Sequence, residues 1–285
     1  MDELLIWCHR RLGPLARKMG VQKAARRLYE GIAAIRYPDG SLCTAVQNGR
    51  TWKLRRDVAE RGEFQEFETI AWLREVVRPG ATVIDVGANV GQMTLEMAAL
   101  VGPQGRVISI EPSPGNLEYL RQHVDENGFH DRVVIVDAAC SNEDGGEVTF
   151  FVASEDGVSS VGSGHNIIGA GPILKHADGI NVREQRVPRV SIDGLCRRLG
   201  IAPSVIKIDV EGAELLVLEG ALNTLGQQRP QVRVGFHPFA FEDAAAASRK
   251  AFELLGRARY RIEGIDAGQT LDLFDYNLRP PPGQA

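Results

Sequence analysis

The sequence predicts an α/β fold in which helices cover both faces of a parallel β-sheet. Five apolar runs have the length of buried strands, stretches with helical periodicity separate them, and a glycine-rich turn follows the first run. This alternation is typical of parallel strands joined by crossover helices. The predicted strands are residues 82–86, 106–111, 133–138, 205–210 and 232–237. The predicted helices are residues 91–101, 115–127, 192–199, 212–225 and 243–256.

Residues 1–60 are predicted to form an N-terminal extension of helices and a hairpin. Residues 1–36 hold eight Lys or Arg against three acids, and Gly13-Pro14 splits their partial helical stripe into two helices. Basic helices of this kind suit peripheral contact with an anionic membrane surface, an acidic substrate, or packing on the domain or on a second subunit of a homodimer. Asn48-Gly49 predicts a turn between two short strands, residues 41–46 and 51–54.

Residues 61–278 are predicted to form the main domain, which opens with a helix at residues 63–77. An extra strand is expected at residues 147–152. The following segment, residues 153–184, is rich in Gly, Ser, Asn and His, and loops of this length are usually functional, so we expect it to cover the substrate. The last predicted elements are an antiparallel edge hairpin of residues 260–265 and 269–274 and a loose tail of residues 279–285.

The composition is that of a globular protein that works in the cytoplasm. Hydrophobic residues make up 44% and charged residues 25%, and no stretch is long and apolar enough for a membrane span. The net charge of −4 gives no drive toward nucleic acid, so no nucleic-acid partner is expected. The four cysteines are far apart, which favours reduced thiols over a zinc site or a disulfide framework.

The most informative motif is the turn at residues 85–91 together with Glu111. An apolar strand leads into a turn with Gly87 and Gly91, and the next predicted strand ends at Glu111. A strand, a glycine-rich turn and a helix bring backbone N–H groups close to a ligand, and an acid at the next strand end can bind ribose hydroxyls. The sequence therefore predicts a nucleoside-cofactor site.

Two features of this turn favour S-adenosylmethionine over NAD. The dinucleotide motif needs three glycines, but Asn89 and Gln92 occupy the second and third of those positions. Asp85 lies just before the turn, where a carboxylate repels a pyrophosphate and attracts the ammonium of S-adenosylmethionine. An NAD-dependent oxidoreductase and an ordinary tight turn with a satisfied aspartate are the alternatives.

A second motif at residues 206–214 carries the candidate catalytic groups. Lys207 and Asp209 point to the same face of a buried strand, where charged side chains need partners. Glu211 begins the turn into the next helix, and His237 ends the following strand at the same edge of the sheet. The structural alternatives are a salt bridge for Lys207, a helix-start acid for Glu211 and a structural role for the histidine.

With these motifs, residues 62–240 resemble the FkbM family of S-adenosylmethionine-dependent, class I methyltransferases. The resemblance rests on the turn at residues 85–91, Glu111-Pro112-Ser113, Val190-Ser191-Ile192-Asp193, residues 206–214 and Leu218-Glu219-Gly220-Ala221. It implies a Rossmann-like sheet of seven strands and methyl transfer to a hydroxyl oxygen of a sugar, glycolipid or polyketide-type natural product. A non-catalytic scaffold that binds the cofactor or a membrane remains an alternative.

For methyl transfer, we expect Asp85 and the turn to hold the methionine part of the cofactor, and Glu111 to accept both ribose hydroxyls. The end of the third strand is expected to border the adenine, with Asp137 or Asn142 near its amino group. The expected cofactor-binding residues are Asp85, Gly87, Ala88, Asn89, Gly91, Glu111, Pro112, Ser113, Asp137, Ala138 and Ala139.

An alcohol is a poor nucleophile at neutral pH, so a general base near the methyl group is useful, and Asp209 and His237 are the best placed. The expected catalytic residues are Asp209, His237, Glu211 and Lys207. A divalent metal that lowers the pKa of the hydroxyl is the alternative, and its expected ligands are Asp209, Glu211 and His237.

Overall fold

The structure, a computed structural model, describes residues 41–61, 66–155, 158–159, 167–168, 181–267, 269–272 and 274–280. The predicted basic helices of residues 1–36, most of the predicted substrate cover and most of the predicted tail lie outside these ranges. The strands are β1 (Leu42–Gln47), β2 (Arg50–Arg55), β3 (Thr82–Val86), β4 (Arg106–Glu111), β5 (Val133–Asp137), β6 (Ala139–Cys140), β7 (Glu147–Glu155), β8 (Val158–Ser159), β9 (Ile167–Ile168), β10 (Asn181–Val190), β11 (Val205–Ile208), β12 (Gln231–Phe236), β13 (Arg261–Ile262) and β14 (Phe274–Arg279).

Helices lie between most of these strands. They are α1 (Arg56–Arg61), α2 (Phe67–Val76), α3 (Gln92–Val101), α4 (Pro114–Glu126), α5 (Ile192–Leu199), α6 (Glu214–Glu219), α7 (Leu222–Gln228) and α8 (Ala244–Arg257), with a short 3-10 helix at Pro238–Ala240.

Within the described residues, the main sheet has seven strands in the order β13-β14-β12-β11-β3-β4-β5. Strands β12, β11, β3, β4 and β5 pair in parallel, and only β14 runs antiparallel to its neighbours β12 and β13. The predicted Rossmann-like α/β fold with seven strands is confirmed. The chain continues from β3 outward to β4 and later returns to β11 on the other side of β3. A sheet of this kind binds ligands at the carboxyl ends of the two strands that flank such a reversal.

Alternation of side chains along the central strands builds two hydrophobic cores. Val83 of β3 and Val205 of β11 belong to the cluster that β1, β2, α2, α3 and α4 cover. Ile84 and Ile206 belong to the cluster that α5, α6, α7 and α8 cover. Because successive residues of a strand point to opposite faces, helices pack on both sides of the sheet, as predicted.

The hairpin formed by β1 and β2 belongs to the core. Trp52 and Leu54 are buried in the same cluster as the α3 residues. The backbone N–H of Arg55 donates to Nε2 of His123 over 2.9 Å, and the His123 Nδ1 lies 2.7 Å from the Val90 carbonyl. His123 of α4 therefore connects the hairpin to the glycine-rich turn.

The predicted single helix at residues 212–225 is divided into α6 and α7. A Cβ atom on Gly220 would lie 2.2 Å from the backbone oxygen of Ser141, so the chain passes this point in close contact with another loop. Asp193 then accepts hydrogen bonds from the backbone N–H groups of Asn223 and Thr224 at 3.0 and 2.7 Å. The interruption thus follows from a tertiary contact and from a capping acid that is distant in sequence.

Two predicted strand positions were also wrong. The second strand of the edge hairpin is Phe274–Arg279 instead of residues 269–274, because Tyr276 and Leu278 supply the buried side chains and Leu271 instead donates its N–H to the Ser248 hydroxyl. Strand β14 thus includes Arg279, where the tail was expected to begin. An unpredicted strand, Asn181–Val190, begins in the last four residues of the predicted cover (153–184), continues beyond it, and pairs with Glu147–Glu155. This strand was not predicted because its charged residues and Pro188 interrupt the apolar pattern that is typical of a strand.

Candidate active site

The glycine-rich turn lies between β3 and α3 at the carboxyl edge of the sheet. Gly87, Asn89 and Gly91 have φ angles of 76°, 53° and 94°, which few residues other than glycine and asparagine adopt readily. A Cβ atom on Gly87 would lie 1.9 Å from the backbone oxygen of Asp209. The absence of a side chain at residue 87 therefore lets the first motif pack directly against the second.

Glu111 ends β4 with its carboxylate held in place by the protein. Its Oε2 accepts from the Asn89 N–H over 2.8 Å, and its Oε1 accepts from the Ser113 N–H over 2.9 Å and from Asn116 Nδ2 over 3.1 Å. Burial raises the pKa of Glu111, and these hydrogen bonds offset only part of the rise. Since a carboxylate oxygen has two lone pairs and Oε1 already accepts two hydrogen bonds, Oε2 can still accept one further hydrogen bond from a ligand.

Both motifs face one cleft that is open to solvent. It lies at the carboxyl ends of β3, β4 and β11, where the sheet topology predicts a ligand. The predicted residues that line it are Gly87, Ala88, Asn89, Glu111, Pro112, Ala139, Lys207, Asp209 and Glu211. The structure thus brings most of the predicted cofactor and catalytic residues together.

Asp85 does not line the cleft, in contrast to the prediction. Its carboxylate is fully buried on the face of the sheet that α3 covers, where Thr94 Oγ1 donates to it over 2.7 Å. Lys207 Nζ lies 3.9 Å from its other oxygen. Because Asp85 points into the sheet face, the side chain lies beneath the turn and cannot be exposed to a cofactor above it.

Two other predicted residues also lie away from the cleft. Asp137 has a side chain that is 55% exposed, and it forms an ion pair with Arg121 at 3.3 Å. Asn142 donates to the Glu219 carboxylate over 3.1 Å. Other predicted residues outside the lining are Gly91, Ser113, Ala138 and His237. Of these, Ser113 acts through its N–H group on Glu111, and His237 contacts the lining residues Asp209 and Glu211. Ala139, which was predicted, lines the cleft together with Cys140 and Phe150, which were not.

Lys207 connects the buried Asp85 to Asp209 at the cleft. Its Nζ lies 3.2 Å from Asp209 Oδ2, so the two residues form a salt bridge, as the structural alternative for Lys207 predicted. Burial alone would lower the pKa of Lys207, but Asp209, Asp85 and Glu66 raise it above its usual range. Burial would likewise raise the pKa of Asp209, but Lys207 and His237 lower it. At neutral pH Asp209 is therefore an anion and Lys207 a cation.

His237 lies among three carboxylates. Its Nε2 is 3.7 Å from Asp209 Oδ1 and 3.5 Å from Glu211 Oε2, and its Nδ1 is 2.7 Å from Glu214 Oε1. Burial would lower the pKa of His237, but the three carboxylates raise it to about 9. Burial raises the pKa of Glu211 to about 7, against the opposing effect of His237. The imidazole is thus positively charged at neutral pH.

Asp209, Glu211 and His237 also have the arrangement of a metal site. One ligand atom from each residue lies within 4.8 Å of the other two, and among the described residues these three form the one such group. Carboxylate oxygens with an imidazole nitrogen suit several divalent cations. The predicted ligand set is therefore brought together.

The sequence did not predict Glu66 and Gln92, which line the cleft, or Glu214, which lies outside it. Glu66 lines the cleft beside Lys207, and burial raises its pKa. The side-chain atoms Asn89 Oδ1 and Gln92 Nε2 are buried without a hydrogen-bond partner among the described residues. Glu214, on α6, contacts His237. The acid-rich segment before α2 could have indicated Glu66. No sequence feature indicated Glu214, because acids are common at helix starts for structural reasons.

In the described part of the chain, no helix is long and apolar enough to cross a membrane.

Over residues 85–262 the sequence matches the family model of the methyltransferase FkbM domain. The protein-L-isoaspartate O-methyltransferase of Aeropyrum pernix is 39% identical over 59 residues, which are 21% of this chain and 23% of that protein. The demethylmenaquinone methyltransferase of Symbiobacterium thermophilum is 38% identical over 69 residues, 22% of this chain and 28% of that protein. The chain thus spans only about a quarter of each of these relatives.

The chain is also similar to two solved structures. The methyltransferase FkbM from Methylobacillus flagellatus KT is 17% identical with a TM-score of 0.44, over 73% of this chain and 49% of that one. TYW2 of M. jannaschii, solved in complex with AdoMet, is 14% identical with a TM-score of 0.43, over 86% of this chain and 89% of that one. Because the family model covers well over half of the sequence, including both motifs, the chain belongs to the FkbM family of S-adenosylmethionine-dependent methyltransferases.

Proposed function

We propose that this protein transfers a methyl group from S-adenosylmethionine to a hydroxyl group of a sugar, glycolipid or polyketide-type natural product. The observation that carries the proposal is one cleft whose two ends present different functional groups. One end presents the Glu111 carboxylate beside the glycine-rich turn, and the other presents Asp209 and Glu211 beside His237. The first end suits a nucleoside, and the second suits a group that loses a proton.

The residues of the cleft fit S-adenosylmethionine, which supplies an electrophilic methyl group on a sulfonium. Glu111 is positioned to accept from ribose hydroxyls, because its orientation is fixed by two backbone N–H groups. The unpartnered Asn89 Oδ1 and Gln92 Nε2 offer an acceptor and a donor to the polar end of the cofactor. Asn89 and Gln92 stand where the dinucleotide motif has its second and third glycines, which argues against the NAD-dependent alternative.

At the other end of the cleft, Asp209 is the better general base at neutral pH. Its pKa is lowered by Lys207 and His237, so the carboxylate is ionised and able to accept the proton of the acceptor hydroxyl. His237, with a pKa of about 9, is already protonated and serves to hold Asp209 and Glu211. Of the two bases that the sequence allowed, the structure therefore favours Asp209.

A divalent cation is the second candidate for hydroxyl activation. The supporting observation is that Asp209, Glu211 and His237 place ligand atoms within 4.8 Å of one another. Bound there, a cation would lower the pKa of the acceptor hydroxyl. Assays with and without a chelator separate the two routes, since only a cation-dependent enzyme loses turnover on chelation and regains it with added metal.

The position of Phe239 favours an acceptor molecule that has an apolar face. Its side chain is 49% exposed although it directly adjoins the active site, where its ring lies edge-on to His237 with centroids 5.5 Å apart. An aromatic surface beside carboxylates suits a sugar ring or a hydroxylated polyketide. We expect Phe239→Ala to raise the KM for the acceptor about three- to tenfold, while the affinity for S-adenosylhomocysteine stays unchanged. An unchanged acceptor KM would exclude Phe239 from the acceptor site.

Calorimetric titration with S-adenosylhomocysteine, with NAD as the comparison ligand, tests the cofactor. We expect micromolar binding of S-adenosylhomocysteine and no binding of NAD. The absence of S-adenosylhomocysteine binding would overturn the proposal.

The Asp209→Asn variant distinguishes a catalyst from a non-catalytic scaffold. A catalyst loses turnover with hydroxylated acceptors and keeps its cofactor affinity, whereas a scaffold gives no turnover with any acceptor before or after the substitution.

A further inference from the structure

The Glu214 side chain lies behind the catalytic cluster and outside the cleft. It is the first residue of α6 and has no solvent exposure. Its Oε1 lies 2.7 Å from His237 Nδ1 and also accepts the backbone N–H of Gly212 over 2.9 Å. A single carboxylate oxygen thus contacts both the strand end that carries His237 and the turn that carries Glu211.

The contact with Glu214 determines which nitrogen of His237 faces Asp209 and Glu211. An imidazole that donates its Nδ1–H to a buried carboxylate is restrained in rotation and presents its Nε2 in the opposite direction. In this structure that Nε2 lies 3.7 Å from Asp209 and 3.5 Å from Glu211. Glu214 therefore acts on the two cleft carboxylates through the imidazole ring.

The contact with Gly212 stabilises an unusual backbone segment. Glu211 has a φ angle of 52° and Gly212 one of 109°. For a glutamate this left-handed conformation costs free energy and persists only when the surroundings enforce it. The hydrogen bond from the Gly212 N–H to Glu214 is one such restraint, and it holds the Glu211 carboxylate on the His237 side of the cleft.

A role in packing alone does not account for a glutamate at residue 214. Its Oε2 is buried without a hydrogen-bond partner in the described part of the chain. Burying a carboxylate is unfavourable unless a specific partner compensates for the lost hydration, and an apolar side chain would fill the same space without that loss. The partner that compensates here is His237.

We propose that Glu214 is a positioning residue, which acts through His237 to fix Asp209 and Glu211 in the arrangement that methyl transfer requires. The inference rests on the proposed function, because it concerns how the same cluster is held. Glu214 itself does not contact the acceptor or the cofactor site.

A double-mutant cycle tests this role. Glu214→Gln keeps the size of the side chain and an oxygen for the Gly212 N–H, but it removes the charge that His237 contacts. We expect kcat to fall about ten- to a hundredfold, as for other residues that orient a catalytic histidine, with acceptor KM unchanged. In a His237→Gln background, Glu214→Gln is expected to change kcat less than about twofold. The reason is that Glu214 acts through His237, and the effects of residues that act together are not additive. Equal losses in both backgrounds, or an unchanged kcat in Glu214→Gln, would refute the proposal.

A second readout does not depend on activity. Long-range ¹H–¹⁵N NMR of the imidazole rings in the free protein reports the bonding state of His237 Nδ1. We expect Glu214→Gln to shift the His237 Nδ1 resonance and to leave that of the exposed His130 in place. An unmoved His237 resonance contradicts the proposal even if no acceptor is turned over. If Glu214→Gln does not fold, Glu214→Asp, whose carboxylate is withdrawn from Nδ1 by one methylene, replaces it in both measurements.

S-adenosylhomocysteine affinity, measured on the same proteins, distinguishes the two proposals. A wild-type protein that does not bind this ligand contradicts the proposed function. A wild-type protein that binds it, with a Glu214→Gln variant that keeps full kcat, contradicts only the positioning role.

Discussion

At the scale of single residues, the site depends on carboxylates whose environments differ sharply. Glu111 is held by backbone N–H groups, Asp85 is buried beneath the turn, and Asp209 is ionised between Lys207 and His237. Similar carboxylates thus acquire different environments, and we propose different tasks for them: ligand binding for Glu111, support of a buried lysine for Asp85, and proton acceptance for Asp209. The sequence identifies all three as acids near strand ends, whereas their partners assign the tasks.

Substitution of Glu111 is expected to weaken cofactor binding. Glu111→Gln removes the charged acceptor for ribose hydroxyls, and hydrogen bonds to charged groups contribute enough that affinity for S-adenosylhomocysteine should fall about ten- to a hundredfold. The measurement is calorimetric titration. Glu118→Gln, whose side chain is 72% exposed, is the matched control and should keep wild-type affinity. Equal affinity in the two variants would remove Glu111 from the cofactor site.

His123 is expected to make stability depend on pH. Burial lowers the pKa of His123, and its contacts with the Val90 carbonyl and Asp57 only partly oppose the effect. The unfolded chain therefore binds a proton more readily than the folded protein as pH falls below about 6.5, the ordinary histidine pKa. His123 thus contributes to folding above that pH, and its contribution decreases as the solution becomes more acidic.

Urea denaturation of the wild type and of His123→Gln between pH 8 and pH 5 measures this contribution. The variant is expected to be less stable at pH 8 and to approach the wild type toward pH 5. The exposed His130→Gln serves as the control for the loss of a histidine. A His123→Gln difference that stays constant over this range would show that the pKa of His123 is the same in the folded and unfolded states.

At the scale of elements, the break between α6 and α7 follows from a close backbone contact. Gly220→Ala places a methyl group 2.2 Å from the Ser141 oxygen, so overpacking should lower the free energy of unfolding by about 1–3 kcal/mol. Gly226→Ala lies in α7 with no atom within 4 Å of the new Cβ, and it should stabilise by up to about 1 kcal/mol because alanine favours helix. Chemical denaturation of both variants checks the pair, and equal effects would contradict the contact.

At the scale of the whole molecule, the N-terminal hairpin contributes to the core of the methyltransferase sheet. Leu54 of β2 has no solvent exposure and shares a cluster with residues of α2, α3 and α4. The region predicted as a separate extension therefore includes residues that the main core needs. Its attachment to Val90 through His123 also links the hairpin to the cofactor turn.

Truncation of a hairpin side chain measures that contribution. Leu54→Ala should lower the free energy of unfolding by about 2–5 kcal/mol, as expected for a buried leucine. Val46→Ala in the partner strand, where the side chain is 51% exposed, should change it by less than about 0.5 kcal/mol. Urea denaturation compares the two, and a near-neutral Leu54→Ala would show that the hairpin is dispensable for the core.

The sequence by itself determined the class of fold, the order of the central strands and helices, and the two motifs at the ends of β3 and β11. These features depend on local periodicity and on turn residues such as Gly87, which act over a few positions. Only the tertiary structure decided that Asp85 is buried, that Asp137 lies outside the cleft, and that Glu214 reaches His237. Those contacts depend on strand register and on packing between segments distant in the chain, which no local pattern encodes.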